Sequence, residues 1–297
     1  MLEGFYFWKN KNGTASAMRI VPFLLVVVLL LSGAGAGYWY YFIKLPADEL
    51  LARQQAAQKI RSDINTVQDW YEKSLDGFDI SSGIRILNEI HHTLVPVRMI
   101  YFSAKSVNIV CTEKSCNMGF ELEPERILTQ PELTFFGKRY TASFPMQKGK
   151  VKTDVISLEY NGMGVKDLKN DLLKAYKKEK KLTLHACNEV ISYIKTYNSA
   201  LEKEERKSKD GEVIFKSLPK SSVSDLEKRL AGQVKPYNML FSEWSMEITR
   251  GDSNEEDEII LLQAFLYKQA YRDAFLIRKI ESIKDGMKVS GGLVCKA

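Results

Sequence analysis

The side chains of this 297-residue chain with the widest chemical repertoire are few. Three histidines, His91, His92 and His185, and four cysteines, Cys111, Cys116, Cys187 and Cys295, are the material for metal ligation or nucleophilic attack. His91 and His92 are adjacent on an expected helix, where neighbours point about 100° apart, so their rings do not converge on one ion. The acidic run Asp252, Glu255, Glu256, Asp257, Glu258 alternates like a calcium loop, but it lacks the glycine at the sixth position and the distant bidentate glutamate. It reads as a solvated turn or a helix start. A Walker A loop, a GxSxG elbow, an HExxH helix and paired CxxC motifs are all missing from the sequence. No catalytic residue, metal or cofactor is expected, and the expected role is non-enzymatic.

The cysteines point instead to a compartment. All four lie beyond residue 100 and none lies near the amino terminus, which suits an oxidising environment for the later part of the chain. Cys111 and Cys116 bracket Thr112-Glu113-Lys114-Ser115 between alternating apolar runs. A four-residue hairpin loop there would set the two thiols opposite each other on neighbouring strands, at the short separation a disulfide needs. Two free buried thiols are the alternative. Cys187 and Cys295 either pair or stay free, and the sequence leaves that open.

What holds these residues outside the cytosol is a membrane segment. Ile20 to Ile43 contains no charged side chain, and about 20 apolar residues span a bilayer as a helix. Tyr38, Trp39, Tyr40 and Tyr41 form an interfacial belt at its far end, followed by Lys44 and Pro46. A cleaved signal peptide is the rival reading, through Ala34-Gly35-Ala36; apolarity running on past Ala36 and the length of the leading tail favour an uncleaved anchor. Lys9, Lys11 and Arg19 precede the span against Glu3 alone, so residues 1–19 are expected to be cytoplasmic and the remainder periplasmic. Within the span, Gly33 and Gly37 have the spacing that lets a second helix approach closely.

Beyond the membrane the patterns call for an α+β architecture. Residues 47–76 read as a helical, coiled-coil-like stalk whose stripe includes Ile60, Ile64, Val67 and Tyr71; it pairs with another chain or docks on its own domain. Residues 80–160 read as a first α+β domain: a helix through Ile84, Leu87, Ile90 and Leu94 stopped by Pro96, then strands Val97–Ser103, Ser106–Cys111, Asn117–Glu123, Lys138–Phe144 and Thr153–Tyr160. Residues 165–207 read as connecting helices with Leu184, Cys187, Ile191, Ile194 and Leu201 on one face. The lysines from Lys174 to Lys181 make a solvated face. Residues 212–297 read as a second, ferredoxin-like domain of order α-β-β-α-β: helix Asp225–Val234, strands Glu243–Thr249 and Glu258–Tyr267, helix Tyr271–Lys284 and strand Met287–Cys295. A capping-box pattern at Ser253 and Glu256 allows Glu255–Lys284 to be one helix instead.

Lys plus Arg number 43 against 37 Asp plus Glu, a surplus of +6 too thin over this length for a nucleic-acid binder. A short tail, one anchor, a helical stalk and α+β modules with the Cys111–Cys116 hairpin resemble the inner-membrane assembly proteins of type IV pili and type II secretion, the PilO and PilN class. That resemblance implies a bitopic scaffold of the Gram-negative inner membrane, working as a homo- or heterodimer with other pilus or secretion subunits in a periplasmic alignment complex. The tail, residues 1–18, would meet a cytoplasmic partner or the lipid surface through Phe5, Tyr6, Phe7 and Trp8. A membrane-anchored cell-wall hydrolase and an extracytoplasmic sensor are the competing classes.

Overall fold

The computed structural model describes residues 20–100, 104–122, 132–143, 156–202, 210–249, 258–284 and 286–297. The tail, the end of the expected strand Val97–Ser103, most of the acidic run and the Ser253–Glu256 capping box lie outside the described residues. The chain divides into two compact units, one ending at Asn65 and the other running from Thr66 to Ala297.

In the first unit, α1 (Ile20–Trp39) passes through a π-helical turn (Tyr40–Lys44) into α2, which spans Leu45–Ser74 and crosses the boundary between units. One helix near the amino terminus is thus long and apolar enough to cross a membrane, and Leu29, Leu30 and Leu31 on it are exposed. Nothing lies within 4 Å of where a Cβ would stand on Gly33 or Gly37. Ile60 is exposed and Ile64 is half-buried.

The second unit contains β1 (Phe78–Asp79), α3 (Ile80–Ile100), β2 (Ala104–Thr112), β3 (Ser115–Leu122), β4 (Glu132–Phe135), β5 (Lys138–Thr141), β6 (Ile156–Gly164), α4 (Asp171–Lys177), α5 (Cys187–Glu202), β7 (Ile214–Phe215), α6 (Ser224–Arg229), β8 (Met239–Thr249), α7 (Glu258–Tyr267), β9 (Phe275–Ile283) and β10 (Gly286–Lys296). Eight strands join one antiparallel sheet in the order β6-β3-β2-β9-β10-β8-β7, with β1 also pairing with β9. A separate hairpin pairs β4 with β5. Helices α3 and α7 pack on each other and against β8, β9 and β10, so one face of the sheet is covered. Part of the other face is polar and paired, with Lys288 bonded to Glu247 at 2.6 Å and Lys216 to Glu243 at 2.9 Å.

Several expectations are corrected by this topology. The regions 80–160 and 212–297 are not two modules, because β2 of the first pairs directly with β9 of the second and their apolar faces merge into one core. Neither region could cover its own sheet edge at that junction. The connector is part of the same core, with Cys187, Val190, Ile194 and Leu201 of α5 buried. The order α-β-β-α-β is also replaced, since Glu258–Tyr267 is a helix and Phe275–Ile283 a strand, the reverse of the expectation. In α7, Ile259, Leu262, Phe265 and Leu266 are buried at helical spacing.

The reason β9 imitates a helix is a bulge. Ser290 pairs with Lys279 but Gly291 pairs with Ile277, so Arg278 is the extra residue. Phe275 and Ile277 face the core with period two, and the bulge then shifts Ile280 onto the same face, giving a three-residue step that reads as helical. Helix α3 likewise runs past Pro96 to Ile100, where a stop and a strand were expected. A proline forfeits one intrahelical bond, and the burial of Ile86, Leu87, Ile90 and Leu94 holds the helix regardless.

Candidate functional site

The most elaborate polar construction in the second unit is the seat of the last turns of α2 on the sheet. Val67 and Tyr71, on the stripe expected either to pair with another chain or to dock on its own domain, are 0% and 1% exposed and lie in this unit's core. The stripe therefore serves docking within the chain at these two positions. A helix ends with carbonyls that have no intrahelical partner. Here Arg278 supplies the partners: its guanidinium donates to the carbonyls of Lys73, Ser74 and Asp76, the last through Nε at 3.2 Å. A cation at a helix carboxyl terminus also matches the local dipole. The guanidinium lies 5.0 Å from the centroid of Phe241. Burial pushes the Arg278 pKa down, against the opposing pull of Asp76 and Glu243.

The sheet is shaped to admit this seat. At Gly291 a Cβ would fall on the carbonyl oxygen of Leu276, and at Gly292 it would come within 2.6 Å of the Phe241 ring and 3.4 Å of the Ser74 carbonyl. The glycine pair lets β10 pass under the helix end. On the opposite side, Asn170 caps α4 by accepting from the Leu173 amide, while its side-chain amide donates to the carbonyls of Leu75 and Gly77, each at 2.7 Å. One buried side chain thus ties α4 to the segment following α2.

Above this lies a tyrosine cluster. Tyr71 stacks on Tyr176 with centroids 5.5 Å apart, and Tyr237 meets both edge-on at 5.2 and 5.7 Å. The Tyr71 hydroxyl donates to Glu227 and accepts from the Tyr237 amide at 3.2 Å. Burial, reinforced by the Glu227 bond, pushes the Tyr71 phenol far up. Burial, with Glu72 nearby, pushes Tyr176 up to about 12, and burial also raises Tyr237. These rings border an open cleft of about 660 Å³ between α2, α4 and the loop of residues 232–237.

The two disulfides complete the unit. Cys111 and Cys116 are bridged across β2 and β3 with Cα atoms 4.0 Å apart, in the register expected of the hairpin. The loop is tighter than expected, because Thr112 and Ser115 belong to the strands and only Glu113 and Lys114 turn. Cys187 and Cys295, left open by the sequence, are also paired, joining the start of α5 to the end of β10. His91 and His92 lie side by side on α3 with ring centroids 5.9 Å apart, and His185 packs edge-on against Tyr271. No group of three His, Cys, Asp or Glu side chains that could hold a metal occurs among the described residues.

Sequence reasoning missed Arg278, Tyr176, Tyr237, Glu227 and Asn170. One signal was available: Gly291-Gly292 inside an expected strand marks a bulge or a close backbone approach. The others come from positions far apart in the chain and carry no local pattern. Compared with known proteins, the chain matches no family model, no curated protein and no solved structure.

Proposed function

We propose that this protein is a single-pass scaffold subunit of the inner membrane, serving a type IV pilus or type II-like secretion machine. The observation that carries the reading is the seat of α2. A helix that follows an apolar segment long enough to span a bilayer ends inside a disulfide-bonded domain, held there by Arg278 and Asn170. A tethered binding domain works on any flexible linker. Building the helix end into the sheet, in place of a flexible linker, suits a structural subunit that meets its partners through that helix. Exposed Ile60 with Ile64, and the Gly33–Gly37 face, are then the surfaces for partner helices.

The test is site-directed photocrosslinking in cells from Ile60 and Gly33 of the full-length protein, with identification of the captured chains. The reading expects another bitopic assembly subunit or a second copy of this chain. Labelling of engineered thiols at residue 10 only from inside, and at residue 113 only from outside, is expected in the same cells. Crosslinks to lipid alone, or labelling in the reverse sense, would overturn it.

A further inference from the structure

The cleft beside the tyrosine cluster has the composition of a site for an uncharged, polyhydroxylated ligand. Its volume of about 660 Å³ falls within the range of roughly 300–1,000 Å³ seen for small-ligand sites. Tyr71 beneath the cleft is 1% exposed, covered by the stacked Tyr176 and by Tyr237, and its hydroxyl is committed to Glu227 and to the Tyr237 amide, so it supports the aromatic wall without meeting the ligand. Tyr176 and Tyr237 are half-buried and supply the aromatic surface, their rings inclined at 62°.

The rim supplies both kinds of hydrogen-bonding group. Gln68 and Gln233 each carry a donor and an acceptor end, Glu72 accepts and Lys177 donates. A hydroxyl both donates and accepts, so a ligand bearing several hydroxyls can use this mixed rim throughout, whereas an anion or a cation would meet like charge on part of it. The lining charges also cancel, with Glu72 and Glu179 set against Lys177 and Lys235. Lys235 is held in place: it donates to the Glu179 carbonyl at 2.7 Å and lies 5.4 Å from the Tyr237 ring centroid. The aromatic wall is therefore formed before any ligand arrives.

We propose that this cleft binds a neutral glycan, the C–H face of one sugar ring lying on Tyr176 with Tyr237, inclined at 62° to it, against the edge of the sugar, and its hydroxyls shared among Gln68, Glu72, Lys177 and Gln233. The site is independent of the scaffold reading. The apolar C–H face of a pyranose and the π-face of tyrosine are complementary, and ring burial plus several modest hydrogen bonds gives weak, selective attachment.

The experiment titrates chitotetraose into the full-length protein in nanodiscs and follows the tryptophan emission that is lost in a Trp70→Phe control, the Trp70 ring lying 5.0 Å from Tyr71. Saturable binding is expected, weakened about tenfold by Tyr237→Ala and by Gln233→Ala, a loss of the size one good contact supplies. Gln233 is exposed on its loop, so Gln233→Ala leaves the tyrosine cluster intact even if Tyr237→Ala disturbs it. No saturable response to chitotetraose overturns the proposal. So does binding that both variants leave unchanged, or a lysine-rich peptide binding more tightly than the sugar. Crosslinked partners are read in a separate experiment, so failure here leaves the scaffold reading untouched.

Discussion

Arg278 donates hydrogen bonds through its guanidinium to the main-chain carbonyl of Lys73, a partner 205 residues earlier in the chain. The arginine reaches it because it is the bulged residue of β9, at the place where the edge of that strand changes partner from β1 to β2. Three carbonyls at the end of α2 depend on this one side chain. Replacing Arg278 by Met keeps the length of the side chain and orphans all three, so we expect a loss of about 2–3 kcal/mol in reversible urea unfolding. Arg278→Lys should recover only part of it, since an ammonium lacks the planar fork. Equal stability of the Lys variant and wild type would contradict the clamp.

Tyr71→Phe isolates the hydroxyl from the ring. The stacking on Tyr176 persists, but Glu227 loses its donor and the Tyr237 amide its acceptor. The expected cost is about 1–3 kcal/mol, measured by thermal unfolding. Glu227→Gln should cost less, because the amide oxygen can still accept from the phenol.

The two glycines should differ in what they tolerate. Gly291→Ala places a methyl group on the backbone of β9 and is expected to abolish soluble folding, since backbone cannot give way. Gly292→Ala presses first on the Phe241 ring, which can move, and should cost about 1–3 kcal/mol. Circular dichroism of the two purified variants separates them, and a well-folded Gly291→Ala protein would refute the close approach.

The two disulfides should differ in worth. Cys187 and Cys295 are 108 residues apart, whereas Cys111 and Cys116 are separated by 5. Loop-closure entropy predicts about 4–5 kcal/mol for the long bridge and about 2 kcal/mol for the short one. Double serine variants of each pair, compared by denaturant midpoint, give the order; a larger loss from the short pair would mean that strain or residual structure governs instead.

Glu113, in the turn between β2 and β3, has its pKa raised by partial desolvation and by the neighbouring Asp76. A carboxyl raised in the folded state binds its proton more tightly there than in the unfolded chain, so its contribution favours the fold at acidic pH and is lost as pH rises through the folded value. Glu113→Gln should therefore raise the melting temperature slightly at neutral pH and leave it unchanged where Glu113 is already protonated. A drop at neutral pH would show that the charge is favourable.

Part of the architecture was legible because its determinants are local. The uncharged stretch from Ile20, the alternation around Cys111 and Cys116, and the stripe of α3 each report one element's own burial pattern, and those elements are present. Pattern failed at Phe275–Ile283, where the bulge at Arg278 turns a strand period into a helical one, and at Glu258–Tyr267, where apolarity all round carries no period. At Val67 and Tyr71 it left two readings open, since an apolar stripe records that a helix is covered but not by what, and both residues are buried in the second unit.

Sequence alone determined the apolar span, the α+β composition and the Cys111–Cys116 hairpin, because each depends on residues within a few positions of one another. Tertiary structure decided that one sheet joins both halves, that Cys187 meets Cys295, and that Arg278, Tyr176 and Tyr237 gather around the end of α2. Those are contacts between distant segments, chosen by which edges and faces could bury one another, and no short-range pattern encodes that choice.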